Sequence, residues 1–127
     1  MTVDELTRCL LDKLLSARFE LQTYIQMRKA KGYMSVSETD RLKDSFFGLA
    51  REIRDRGEQL NQLLDHDSRG ALYRAEEALS SAAISLLSGR HDCPTYIAVN
   101  ADKLERSLNV LNFSIDYLTE RSSLEEA

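Results

Sequence analysis

"LKDSFFGLAREIRDRGEQLNQL", residues 42–63, carries Leu42, Phe46, Leu49, Ile53, Arg56, Leu60 and Leu63 at alternating steps of four and three. About 3.6 residues complete a helical turn, so this alternation keeps one face of a helix apolar along its whole length, as in a heptad seam. Such a face buries itself against another helix. The stretch therefore predicts a helical bundle. Arg56 falls within the seam, where an arginine runs its aliphatic stem along the apolar face and sets its guanidinium in water or on a carboxylate. Phe47 flanks the seam beside Ala50 and Arg54. It either widens the core or faces a partner, and the core is the expectation.

Working outward, residues 4–30 repeat the helical period through Leu6, Leu10, Leu14, Ala17, Leu21 and Tyr24, widened by Leu11, Leu15 and Ile25. Basic residues followed by Gly32 supply a stop signal. Ser35 with Glu38, and Ser37 with Asp40, each have the spacing of a capping box for a helix over 36–65. A third helix is predicted over 68–88, with Leu72, Ala75, Leu79, Ala82 and Leu86 on one stripe and Ala71, Ala78 and Ala83 beside it. Gly89 reads as its stop, and Pro94 as the start of a fourth helix over 95–121. That helix carries Ile97, Ala101, Leu104, Leu108, Leu111, Ile115 and Leu118, with 122–127 as a frayed tail. No strand-period segment of useful length appears. Four amphipathic helices with short connections predict a single all-α domain over 1–121, an antiparallel four-helix bundle with heptad-like seams.

Composition narrows the function. The 127 residues include 43% apolar and 30% charged side chains, ordinary for a globular domain and too apolar for a disordered chain. Net charge is −4, and the first 31 residues, the most basic segment, hold six basic groups against four acidic ones. No broad basic face follows, so nucleic acid is not an expected partner. The densest basic patch, Arg28 to Lys31 between Tyr24 and Tyr33, reads as cations completing a helix C-terminus. The opening "MTVDELTRCLLDKLL" has no apolar block of signal-peptide length, and no segment reaches the length of a membrane span. A cytoplasmic protein is expected, with Cys9 on a helix face and Cys93 in a loop as reduced thiols.

The usual catalytic and metal constellations are missing. Leu63 and Ser88 stand three residues before His66 and His91, where a carboxylate-bridged site in a bundle needs glutamate. There is no Cys-x-x-Cys, no helical His-x-x-x-His pair, no glycine-rich phosphate loop and no nucleophile elbow. The two histidines lie near opposite ends of the third helix, separated by roughly 30 Å at 1.5 Å per residue. His91, Asp92 and Cys93 read as a polar connection with Asp92 capping the next helix. No catalytic residue, metal or cofactor is expected, and the chain is read as a non-enzyme.

Chemistry has one remaining place, "LLDHDSRGALYRAEEAL" at residues 63–79. Asp65, Asp67, Gly70, Leu72 and Glu76 resemble positions one, three, six, eight and twelve of an EF-hand calcium loop, with Arg69 where that family places an oxygen ligand. "HDSRGA" is similar to the His-x-x-Lys/Arg-Gly-Ala signature of histidine phosphotransfer domains, which are four-helix bundles of about this length. Ser68 and Leu72 depart from that pattern. The resemblance implies a continuous helix on which His66 accepts phosphate, Arg69 faces the phosphoryl oxygens and Gly70 gives a partner room. The third reading is a corner, with His66 ending helix two and Asp67 or Ser68 capping helix three. The seam phase favours the corner, because continuing it from Leu63 reaches Asp67, Gly70 and Arg74.

By elimination, the expected function is a regulatory, adaptor or inhibitor role exercised by binding another protein, with self-association through a spare heptad face. Tyr24, Tyr33, Phe47 and Arg56 are the candidate interface residues. Phosphotransfer through His66 is the alternative, and an EF-hand-like calcium protein a remote one.

Overall fold

The structure is a computed structural model, and it describes residues 3–62 and 65–126. Four helices form the bundle: α1 (Val3–Lys31), α2 (Val36–Asn61), α3 (His66–Leu87) and α4 (Ala101–Glu126). Each helix packs on its neighbour in sequence, and α4 closes the ring against α1. Contacts between neighbours run in opposite order along the chain. Lys29 reaches Glu105 early in α4 while Arg18 reaches Asp116 further on, and Tyr24 meets Thr39 while Lys13 meets Glu52. The bundle is therefore antiparallel.

The predicted stripes form the core. Leu42, Phe46, Leu49, Ile53 and Leu60 of α2 are buried, as are Leu6, Leu10, Leu14, Ala17, Leu21 and Tyr24 of α1. All eight alanines and leucines assigned to α3 are buried, and Leu104, Leu111, Ile115 and Leu118 complete the set from α4. Truncating one of these fully buried leucines, such as Leu79, to alanine costs roughly 2–5 kcal/mol. Arg56 keeps its place in the seam by pairing with Glu52 at 3.4 Å. Leu63 and Leu64 lie outside the described residues.

Helix ends follow local chemistry. Gly32 adopts φ +83°, a left-handed conformation that side chains resist, and its N–H closes α1 on the Arg28 carbonyl at 2.8 Å. Ser35 caps α2 by accepting from Glu38 N at 3.1 Å. Asn100 Oδ1 accepts from Lys103 N at 3.2 Å at the start of α4. The helix continues through Glu126, past the frayed tail placed at 122–127.

Strands are the correction to the sequence reading. β1 (Met34–Ser35), β2 (Arg90–Cys93) and β3 (Tyr96–Ala98) form an antiparallel sheet in the order β1-β3-β2. Met34 pairs with Ile97 and Ser35 with Tyr96, and Val36 N donates to Thr95 O at 3.0 Å. Residues 95–100 are thus not the first turns of a helix. Pro94 opens a two-residue hairpin turn, where its fixed φ is an advantage, between Cys93 and its partner Tyr96. Ile97 is buried as anticipated, but from a strand. Cys93 ends β2 instead of lying in a loop. The side chains of Asp92 and Cys93 lie outside the described residues.

Candidate functional site

At the end of the bundle opposite the sheet, the chain turns between α2 and α3. Helix α2 ends at Asn61 with Gln62 as its C-cap, and Asp65 takes an extended conformation (φ −65°, ψ 163°) as the N-cap of α3. Its carboxylate accepts from Ser68 N at 3.3 Å and from Ser68 Oγ at 2.5 Å. The chain breaks helix here, so a corner is present. The cap is Asp65, not Asp67 or Ser68, and His66 opens α3 instead of ending α2. The physical reason is reach: a carboxylate at 65 satisfies the free N–H of Ser68, leaving Ser68 itself buried inside the first turn.

This geometry bears on each of the sharper readings. His66 is exposed, three residues from Arg69 and four from Gly70 on the same helix. Arg69 Nη1, however, donates to the Asn61 carbonyl at 2.7 Å, which turns its guanidinium back onto the C-terminus of α2. That bond neutralises a carbonyl left open by the end of α2 and ties the corner shut. The helix continuous through residues 60–87 that the phosphotransfer resemblance implies is absent. The twelve-residue stretch from Asp65 is helix from His66 onward, so it has no calcium-loop conformation. Its Leu72 is buried, and its Glu76 pairs with Arg54 at 2.8 Å. Among the described residues, no group of three or more His, Cys, Asp or Glu is placed to hold a metal ion.

The four interface candidates are dispersed. Tyr24 is only 5% exposed and belongs to the core. Its hydroxyl lies 2.8 Å from Thr39 Oγ1, which in turn donates to the Ser35 carbonyl at 2.8 Å, so Tyr24 is the donor of the first bond. Burial raises the Tyr24 pKa above its ordinary value, against the opposing effects of the Thr39 bond and the nearby Arg28. Tyr33 is exposed and meets Tyr96 edge to face with ring centres 4.8 Å apart, joining β1 to the hairpin. Arg28 works beside them: its Nε donates to Val99 O at 2.8 Å, so the basic patch completes α1 and holds the approach to α4. Arg56 lies towards the other end of α2.

Phe47 is 37% exposed, which corrects the expectation that it widens the core. The Arg54–Glu76 pair sets the register between α2 and α3. Two turns from that pair, in opposite directions along the sequence, Phe47 comes level with Ala83 and Ile84. Ile84 and Leu87, one turn apart, are both exposed. Phe47, Ile84 and Leu87 are thus exposed apolar side chains on neighbouring helices, towards the sheet end of the bundle. Ile84 and Leu87 were legible in sequence as apolar residues off the phase of the Leu72–Leu79–Leu86 stripe. Further exposed aromatic side chains, Phe19 on α1, Tyr73 on α3 and Phe113 on α4, stand elsewhere on the surface. No described helix is long and apolar enough to cross a membrane.

Comparison with known proteins gives a full-length match. The family model described as YliH, biofilm formation protein (YliH/bssR), covers residues 1–126. The chain is 53% identical over 127 residues to "Biofilm regulator BssR" of Escherichia coli (strain K12), with 100% of both chains covered. Proteins of the same name from Escherichia coli O157:H7 and Shigella flexneri match to the same extent. No solved structure matches the chain.

Proposed function

Because the chain belongs to the YliH/BssR family of biofilm formation proteins, we propose that it regulates biofilm formation by docking onto another protein, without turning over a substrate. The observation that carries the regulatory role is its 53% identity, over the full length of both chains, to proteins named biofilm regulators. Docking is supported by the exposed apolar side chains of Phe47, Ile84 and Leu87, which lose contact with water when a partner covers them. Exposed acids and bases of both signs around the bundle offer a polar rim, as protein interfaces use. We place the protein in the cytoplasm, with no nucleic acid or membrane as partner and with self-association through the same exposed side chains.

Replacement of the Escherichia coli (strain K12) regulator by this chain tests the role. The expected result is a biofilm mass restored to the parental level. The same strain carrying Ile84→Asp together with Leu87→Asp should fall back to the level of the deletion. Both positions are exposed, so circular dichroism of the purified variant should show an intact helical fold. A folded double variant that restores biofilm fully would rule out Ile84 and Leu87 as the docking surface. Sedimentation of wild type and variant separates self-association from docking onto a different protein.

A further inference from the structure

The chain has five tyrosines, and two of them touch. Tyr96 of β3 pairs with Ser35 across the ladder, and Tyr33 stands two residues before Ser35, on the same face by strand alternation. The two are diagonal neighbours, close enough for aromatic side chains to meet across the strands. Their rings lie edge to face, with centres 4.8 Å apart and an interplanar angle of 67°. Tyr33 is 48% exposed and Tyr96 45%, so both are open to a reagent in solution. The backbones are held together by the Met34–Ile97 and Ser35–Tyr96 pairs and by the bond from Val36 N to Thr95 O. Half-exposed rings reorient rapidly, while this ladder keeps them in reach of one another. No other described tyrosine is placed in this way. Tyr24 is buried with its hydroxyl on Thr39, and neither exposed Tyr73 nor half-buried Tyr117 meets another aromatic ring among the described residues.

We propose that Tyr33 and Tyr96 form an oxidative cross-linking site, coupled to dityrosine by a haem peroxidase acting with hydrogen peroxide. Each phenol gives up one electron and its hydroxyl proton, which leaves radical character on the ring carbons ortho to oxygen. A carbon–carbon bond then joins one ortho carbon of each ring, and the hydrogen on each of those carbons moves to its phenol oxygen as a proton. The protein loses two hydrogen atoms in all, and one hydrogen peroxide is reduced to two waters. Radicals held within one molecule meet at an effective concentration of about 1 mM or more, so at about 10 µM protein coupling within a chain outpaces coupling between chains about a hundredfold. The link joins the α1–α2 connection to the α3–α4 connection, about 60 residues away in sequence, and makes a permanent staple of a reversible ladder. It involves none of Phe47, Ile84 and Leu87, so its failure would leave the docking reading untouched.

The test treats the full chain with a haem peroxidase and hydrogen peroxide, then isolates the monomer and maps its peptides by mass. Trypsin cuts after Lys31, Arg41, Arg90 and Lys103, so Tyr33 and Tyr96 fall in the separate peptides 32–41 and 91–103. The expected product is a fluorescent monomer lighter by two hydrogens, in which those two peptides are joined. Tyr33→Phe and Tyr96→Phe keep the ring contact but lack a phenol, and each should abolish the joined pair, whereas Tyr73→Phe should leave its yield unchanged. The linked monomer should melt about 10 °C higher than the untreated chain, as expected for a staple that closes so long a loop. A treated monomer without the joined pair would overturn the proposal. So would one in which Tyr73 is linked as often as Tyr33, or a linked monomer that melts no higher than the parent.

Discussion

Replacing Gly89 by alanine places a Cβ 2.6 Å from both Cγ1 and Cδ1 of Ile97 and 2.9 Å from Cγ2 of Val99. Non-bonded carbons settle at about 3.5–4.0 Å, so the new atom arrives about an ångström too close to two side chains at once. Ile97 and Val99 are both buried, and neither can move out into solvent. The backbone itself raises no objection, because the φ of Gly89 is not positive. Alanine there even gains about 0.4–1 kcal/mol by restricting the unfolded chain. Overpacking a filled site costs about 1–3 kcal/mol, so the net expectation is a loss of about 1–2 kcal/mol. In a domain of this size that lowers the melting temperature by about 3–10 °C. Urea denaturation followed by helical circular dichroism measures it directly. The mechanism has its own control: Ile97→Val removes Cδ1, one of the crowding atoms. Alone it costs about 0.5–1.5 kcal/mol, but in the Gly89→Ala background it should cost much less or nothing. Additive costs, or a Gly89→Ala variant as stable as the parent, would refute the steric argument.

Gly57 lies inside α2 with open space where a Cβ would stand, so Gly57→Ala should stabilise the protein by about 0.5–1 kcal/mol. Gly32 also has open space but a φ of +83°, so Gly32→Ala should destabilise by about 1–2 kcal/mol, and the same urea titrations compare them. The pKa of Tyr24 is raised in the folded protein, so its contribution to stability is complete below its unfolded value of 10.0 and is lost as pH rises through the folded value. Stability measured from neutral pH upward should therefore fall above about pH 10, and Tyr24→Phe should flatten that decline while costing about 1 kcal/mol at neutral pH.

The bundle was legible because its signal is repetitive and local. Leu42, Phe46, Leu49, Ile53 and Leu60 each restate the same face, and burial of all five follows from one period. The sheet carried no comparable signal. β1 has two residues, and β3 has a single buried side chain, Ile97, whose spacing to Leu104 also suits a helix. Pairing Met34 with Ile97 is a contact between distant parts of the chain, which periodicity cannot express. At the corner, turn-forming residues located the break, but Asp65, Asp67 and Ser68 are all competent caps, and their geometry chose among them. Phe47 shows a related difficulty, since a residue on the flank of a stripe is covered or bare according to how closely the next helix approaches.

The central position of β3 also bears on how the chain reaches and keeps its topology. β1 belongs to the connection between α1 and α2, while β2 and β3 belong to the connection between α3 and α4. The molecule is thus two helical hairpins whose loops are buckled together at one end. Contacts within each hairpin join nearby parts of the chain, whereas the β1–β3 ladder must close a long loop before it yields any hydrogen bonds. The ladder therefore carries a loop-closure cost that contacts within one connection do not. It is also the bond that trading a hairpin with a second copy would have to break. While the buckle holds, each hairpin stays with its own bundle.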